Sequence, residues 1–172
     1  MEKEERVIPS RNYAILIIIF LLTLIGATMI FAVYNNQQKY EKDVPVLRGH
    51  SKEIELKDLD IYFTENQDFL LFVGVADDDV SRTAEKVMIE VIKKKKIDVL
   101  YLNIKEAKDK NEFYKDFNKK YSNGIDLTNY PAFLIIKDGK IEDSIQNGYR
   151  NINYGDVVEL LRKNEIIGEL ND

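Results

Sequence analysis

The chain has 172 residues, a formal charge of −5, one histidine and no cysteine. That length holds about one ordinary domain plus a tail. The acidic balance argues against a nucleic-acid binder, which needs a basic face to neutralise phosphates. A lone His50 without any cysteine argues against a zinc or iron–sulfur site within one chain, and it excludes disulfide chemistry. The lack of thiols fixes no compartment.

The first element is the run AILIIIFLLTLIGATMIFAV, Ala14 to Val33, which is uncharged over 20 residues. As a helix it spans about 30 Å, the thickness of a bilayer core. Tyr13 and Tyr34 flank it where interfacial aromatics sit. The pattern predicts a short tail over 1–12, then a single membrane-spanning helix over 13–34. The run exceeds the apolar region of a cleaved signal peptide, about 7–15 residues. Basic residues tie across it: Lys3, Arg6 and Arg11 against Lys39, Lys42 and Arg48. A short tail before a long first apolar segment stays inside, which predicts an extracytoplasmic soluble part at the cell membrane. Gly26 and Ala27 are small enough for helix packing, a weak signal. Residues 35–51, polar with one proline, are expected to form a linker, with His50 an exposed polar residue in it.

The soluble domain is expected over 52–172. Glu53–Leu56 alternates polar and apolar, as in a short strand. A short helix follows, with Leu59, Tyr62 and Phe63 on one side. Asp68–Val75 (DFLLFVGV) reads as a strand buried on both faces. Val80, Ala84, Val87, Met88, Val91 and Ile92 recur at helical spacing and predict an amphipathic helix. It ends in Lys93–Lys96, where positive charge suits the negative end of the helix dipole. Ile97–Ile104 is the next strand. Phe113, Phe117 and Tyr121 mark the next helix by their four-residue spacing. Strands over Ala132–Ile136 and Lys140–Ile145 are joined by an Asp-Gly hairpin turn. Asp156–Arg162 makes a last helix. The predicted order is β-α-β-α-β-α-β-β-α, an α/β domain whose central mixed sheet carries helices on both faces.

This order resembles the thioredoxin-like superfamily, over roughly Lys52 to Lys163. Two further stretches carry the resemblance. NYPAFLIIKDGKI resembles the segment in which a cis-proline, here Pro131 after Tyr130, begins a strand and hairpin. Gly148 before NINYGDVVELL resembles the glycine that closes the hairpin ahead of the C-terminal helix. The resemblance implies that the stretch after FLLFVGV stands where redox members carry Cys-x-x-Cys, so that Asp78 and Ser81 match the two cysteines. Redox members also bury an acid six residues before the first cysteine, and here that position is Phe72. Serine cannot replace cysteine in an exchange that proceeds by thiolate attack on sulfur.

Three readings of Asp77, Asp78 and Asp79 stay open beside contact with a partner. In the first, acids and Ser81 cap the helix that follows. A calcium site would need six to eight oxygens, commonly from spaced loop positions with a glycine turn. A catalytic carboxylate pair would need further chemistry converging on it. The resemblance further implies a groove beside Tyr130 and Pro131, where an extended segment can pair with the main chain without any cysteine. Nothing in the spacing calls for a cofactor. The expectation is a redox-inactive, membrane-anchored accessory or scaffold that binds another protein, loosely similar to the bacterial thioredoxin-like proteins that include bacteriocin transport accessory proteins. Asp77, Asp78, Asp79, Ser81, Tyr130 and Pro131 are its candidate contacts. A holdase-like chaperone, an enzyme using Asp78 or Ser81, and a structural subunit of a membrane complex are the alternatives.

Overall fold

The structure is a computed structural model that describes residues 10–148 and 150–168. Most of the tail expected over 1–12 therefore lies outside the described residues. The chain divides into two compact units, Met1–Glu41 and Lys42–Asp172.

Among the described residues the first unit is one helix. Helix α1 runs from Ser10 to Asp43, so it also takes in the first two residues of the second unit. Its stretch Asn12–Gln37 is long and apolar enough to cross a membrane. Thr28 donates its hydroxyl to Ile25 O at 2.8 Å, so this polar group is satisfied within the helix. The linker expected over 35–51 is not one. NNQQKYEKD contains no helix breaker, so α1 continues until Val44, which precedes Pro45 and is pushed out of helical backbone. Beyond it Pro45 and Leu47 are buried, so this stretch is part of the folded unit.

The second unit is built on a five-stranded sheet. Strand β1 (Lys52–Ile54) leads through a 3-10 turn at Leu56–Asp58 into α2 (Leu59–Glu65). The first strand is thus shorter than its alternation suggested, because Leu56 already belongs to the turn. Next come β2 (Phe69–Gly74), α3 (Asp79–Lys95), β3 (Leu100–Asn103) and α4 (Lys110–Tyr121). A hairpin of β4 (Ala132–Lys137) and β5 (Lys140–Gln146) precedes α5 (Tyr154–Lys163). The order across the sheet is β1-β3-β2-β4-β5. The pairs β1–β3 and β3–β2 are parallel, whereas β2–β4 and β4–β5 are antiparallel. Asp138 and Gly139 both take positive φ, 51° and 68°, as an Asp-Gly hairpin turn requires.

Strand β2 feeds two cores because its side chains alternate faces. Leu71 and Val73 join Leu59 and Phe63 of α2 and Phe117 and Tyr121 of α4. Leu70 and Phe72 join Ala84, Met88 and Val91 of α3 and Val157 and Leu161 of α5. On the α2/α4 side Phe63 stacks on Tyr121 with ring centroids 3.7 Å apart, and Phe117 closes the cluster edge-on. The stripe of α3 is offset from the apolar positions in the sequence. Val80 is 36% exposed, while Ser81 and Glu85 are fully buried. The lysines close α3 in solvent, with Lys94 paired to Glu90 at 2.7 Å.

Candidate functional site

The sheet brings three separate segments to one end. Val73 pairs with Ala132, so whatever follows Gly74 lies beside whatever precedes β4. Gly74 also lies alongside Asn103 in the parallel β2–β3 pair, so the stretch leaving β3 arrives at the same end. Residues 75–79, 104–110 and 129–131 therefore form one surface.

The acidic stretch divides its labour. Asp78 takes extended backbone at φ −90° and ψ 126°, and its carboxylate accepts from Ser81 N at 2.7 Å. That is a helix N-cap, which satisfies one of the amides a helix start leaves open. Ser81 is fully buried, and its hydroxyl oxygen accepts from Val75 N at 3.2 Å. Asp79 sits exposed in the first turn, where negative charge suits the helix dipole. Asp77 turns away, and its carboxylate pairs with Lys105 Nζ at 3.0 Å. The Lys105 hydrogen bond holds Asp77 below the usual carboxylate range against its partial burial, and the charge of Lys110 acts in the same direction.

Across the surface, the peptide bond between Tyr130 and Pro131 is cis, and Pro131 is buried. Lys110 Nζ donates to Tyr130 Oη at 3.0 Å and lies 4.4 Å from the centre of the Tyr130 ring. Tyr114 follows Lys110 by one turn of α4. Its hydroxyl is buried without a hydrogen-bond partner, and burial, then Tyr130, push it up to about 12. The loop before Pro131 is tied to β5: Gln146 Oε1 accepts from Thr128 N at 2.8 Å and Asn129 N at 3.2 Å.

A β1-β3-β2-β4-β5 sheet, a helix starting just beyond β2 and a cis-proline opening the neighbouring β4 together decide the architecture. The fold is thioredoxin-like. Solved structures similar to this chain include the oxidised thioredoxin of Plasmodium falciparum, at 16% identity and a TM-score of 0.48, covering 66% of this chain and 97% of that one. Oxidised mitochondrial thioredoxin 3 from Saccharomyces cerevisiae matches at 11% identity and a TM-score of 0.46, over 66% and 94%. Schistosoma mansoni thioredoxin matches at 19% identity and a TM-score of 0.45, over 66% and 96%. No family model and no curated protein matches the sequence.

Within this thioredoxin-like fold the chemistry of the site is narrow. The chain holds no thiol, so it cannot exchange disulfides. Ser81 Oγ is buried and bonded to a backbone amide, with no histidine beside it to act as a base. His50 lies towards the opposite end of the sheet, lining a cavity with Leu70 and Leu100. Phe72 is fully buried and stacks on Tyr101 with centroids 5.8 Å apart, so its surroundings are apolar. No group of three carboxylates or histidines able to hold a metal occurs among the described residues. Asp77 and Asp79 are exposed, Asp78 and Tyr130 are half-buried with Tyr130 packed against the core, and Ser81 and Pro131 are buried.

Two lysines and one acid escaped the sequence reading. Lys105 and Lys110 were visible only through topology: parallel β2 and β3 deliver their following loops to the same sheet end. Glu85 carried a plainer signal. It lies four residues after Ser81 and three before Met88, a charge inside the buried stripe of α3.

Proposed function

We propose that this chain is a single-pass protein of the cell membrane whose thioredoxin-like domain is extracytoplasmic and docks another protein without catalysis, as an accessory or scaffold. One observation carries the reading. The positions that match the family's thiols are committed to building the start of α3, while charged and aromatic groups around them remain at the surface. Asp77 and Lys105 on one side, and Lys110 with the Tyr130 ring on the other, offer a polar and aromatic contact over buried Pro131. Aromatic anchors framed by charge are what protein interfaces favour at their centre. Asn12–Gln37 supports the anchor by its length and apolarity.

A substitution set tests this. Tyr130→Ala with Lys110→Ala should abolish a stoichiometric complex of the full chain with its partner and leave its melting temperature within a few degrees. An intact complex in that variant refutes docking at this face. A holdase-like chaperone using the same groove predicts instead that the wild-type chain suppresses aggregation of unrelated unfolded proteins. A scaffold does not.

A further inference from the structure

Residues 42–47, the last two of α1 and the four that follow it, are held by the folded unit through a buried carboxylate. Glu85 is fully buried on α3. Its Oε2 accepts from the backbone amides of Val46 and Leu47, the latter at 3.1 Å. Its Oε1 accepts from Tyr101 Oη at 3.0 Å. One turn earlier, Arg82 Nη1 donates to the carbonyls of Lys42 at 3.2 Å, Val44 at 3.0 Å and Ala76 at 3.0 Å. Lys105 bonds Asp43 as well as Asp77. Leu47 then drops fully buried into the core on the α3 side. Three side chains of the domain thus grip main-chain and side-chain groups of one short strap.

An apolar residue at position 85 would pack such a core at no desolvation cost, whereas a buried carboxylate needs every partner it has. Two of the three partners of Glu85 are the strap's own amides. Withdrawing the strap therefore strips the carboxylate of two donors at once, and seating it restores both. Main-chain grips of this kind hold a segment whatever its side chains are, and they open as a unit.

We propose that residues 42–47 form a latch: a strap that closes on α3 through Glu85 and Arg82, and whose release is a local opening with the domain still folded. Closed, the strap is part of the domain. Open, six residues extend at no more than about 3.3–3.6 Å each, so the strap can span at most roughly 20 Å between anchor and domain. The latch would set how far the docking face reaches from the membrane. That consequence rests on the membrane reading above, whereas the latch itself rests on these hydrogen bonds alone.

Amide hydrogen exchange of the full chain in detergent micelles tests it, because micelles report the latch whether or not α1 crosses a membrane in the cell. In the wild type, the Val46 and Leu47 amides should be protected well above an unstructured peptide, yet below Leu102 in β3. Glu85→Leu should cut protection at Val46 and Leu47 at least tenfold and leave Leu102 unchanged. Glu85→Gln, which keeps an oxygen acceptor, should restore most of it. Unprotected Val46 and Leu47 in the wild type overturn the latch. Equal loosening of Leu102 in Glu85→Leu overturns it too, since Glu85 would then serve the whole domain. If Glu85→Leu does not fold, Arg82→Gln reads the same strap, and undiminished protection at Val46 and Leu47 in that variant overturns the proposal.

Discussion

Removing Asp78 or Ser81 should cost stability by an amount the hydrogen bonds around them set. Asp78→Ala deletes the carboxylate that accepts from Ser81 N at 2.7 Å. Loss of such a cap costs about 0.5–2 kcal/mol. Ser81→Ala leaves the Val75 amide without its acceptor in a fully buried position. An orphaned buried donor costs about 1–3 kcal/mol. The folded unit Lys42–Asp172 has about 130 residues and so a melting entropy of about 0.27 kcal/mol per kelvin. Asp78→Ala should therefore lower the melting temperature by about 2–7 °C, and Ser81→Ala by about 4–11 °C. The two groups belong to one turn, so the double variant should lose less than the sum. Near-UV circular dichroism of the full chain in micelles follows the tyrosines of the folded unit and gives each midpoint. A shift below about 1 °C in both variants would refute the assignment of these residues to the fold. So would loss of an activity or of partner capture at unchanged melting temperature.

Glu85 gives a pH dependence of opposite sign to the other perturbed carboxyls. Burial raises it above its ordinary 4.5, against the Leu47 amide, the Tyr101 hydroxyl, the Val46 amide and the charge of Arg82. Its contribution is thus fully present below about 4.5 and lost as pH rises through the raised value. Asp60 and Asp77 are held below 3.8 by hydrogen bonds, from Lys120 and Tyr121 and from Lys105, so their contributions are lost as pH falls through the depressed values. The stability of wild type relative to Glu85→Gln should accordingly fall as pH rises above about 4.5 in urea titrations, and a flat difference contradicts the placement of Glu85. Phe72→Ala empties a fully buried position against Tyr101 and should cost about 3–5 kcal/mol, whereas a loss below 1 kcal/mol would mean the two cores are not packed as described. Lys120→Ala breaks an exposed pair with Asp60 and should change stability by less than about 1 kcal/mol in the same titration. Because the chain has no cysteine, Glu159→Cys places a single thiol on an exposed face of α5. A membrane-impermeant maleimide should label it in intact cells, and labelling only after lysis would reverse the proposed orientation.

Periodicity made most of this fold legible. The alternation of β2 between two cores, the four-residue spacing of Phe113, Phe117 and Tyr121, and the Asp138–Gly139 turn each follow from local chemistry. The cap at Asp78 was equally local, since its partner lies three residues away. What escaped depends on pairings distant in sequence. Glu85 and Val46 are 39 positions apart, and Lys110 and Tyr130 are 20 apart, so no local pattern joins them. The stretch after α1 looked like a linker because the polar run before it and Pro45 masked the fact that its main chain bonds side chains far along the sequence. Pattern also shifted the face of α3 by one position: Val80 looked apolar enough for the core, but the cap at Asp78 fixes where the helix begins and turns Ser81 inward instead.

Site-specific photo-crosslinking in native membranes tests the central claim most directly, with the probe at Tyr130, at exposed Asp79, and at Glu159 on α5 as the control. Docking at the face around Asp79 and Tyr130 predicts one discrete adduct shared by Tyr130 and Asp79 and absent from Glu159. A discrete adduct from Glu159 alone, or none from Tyr130 and Asp79, would contradict it.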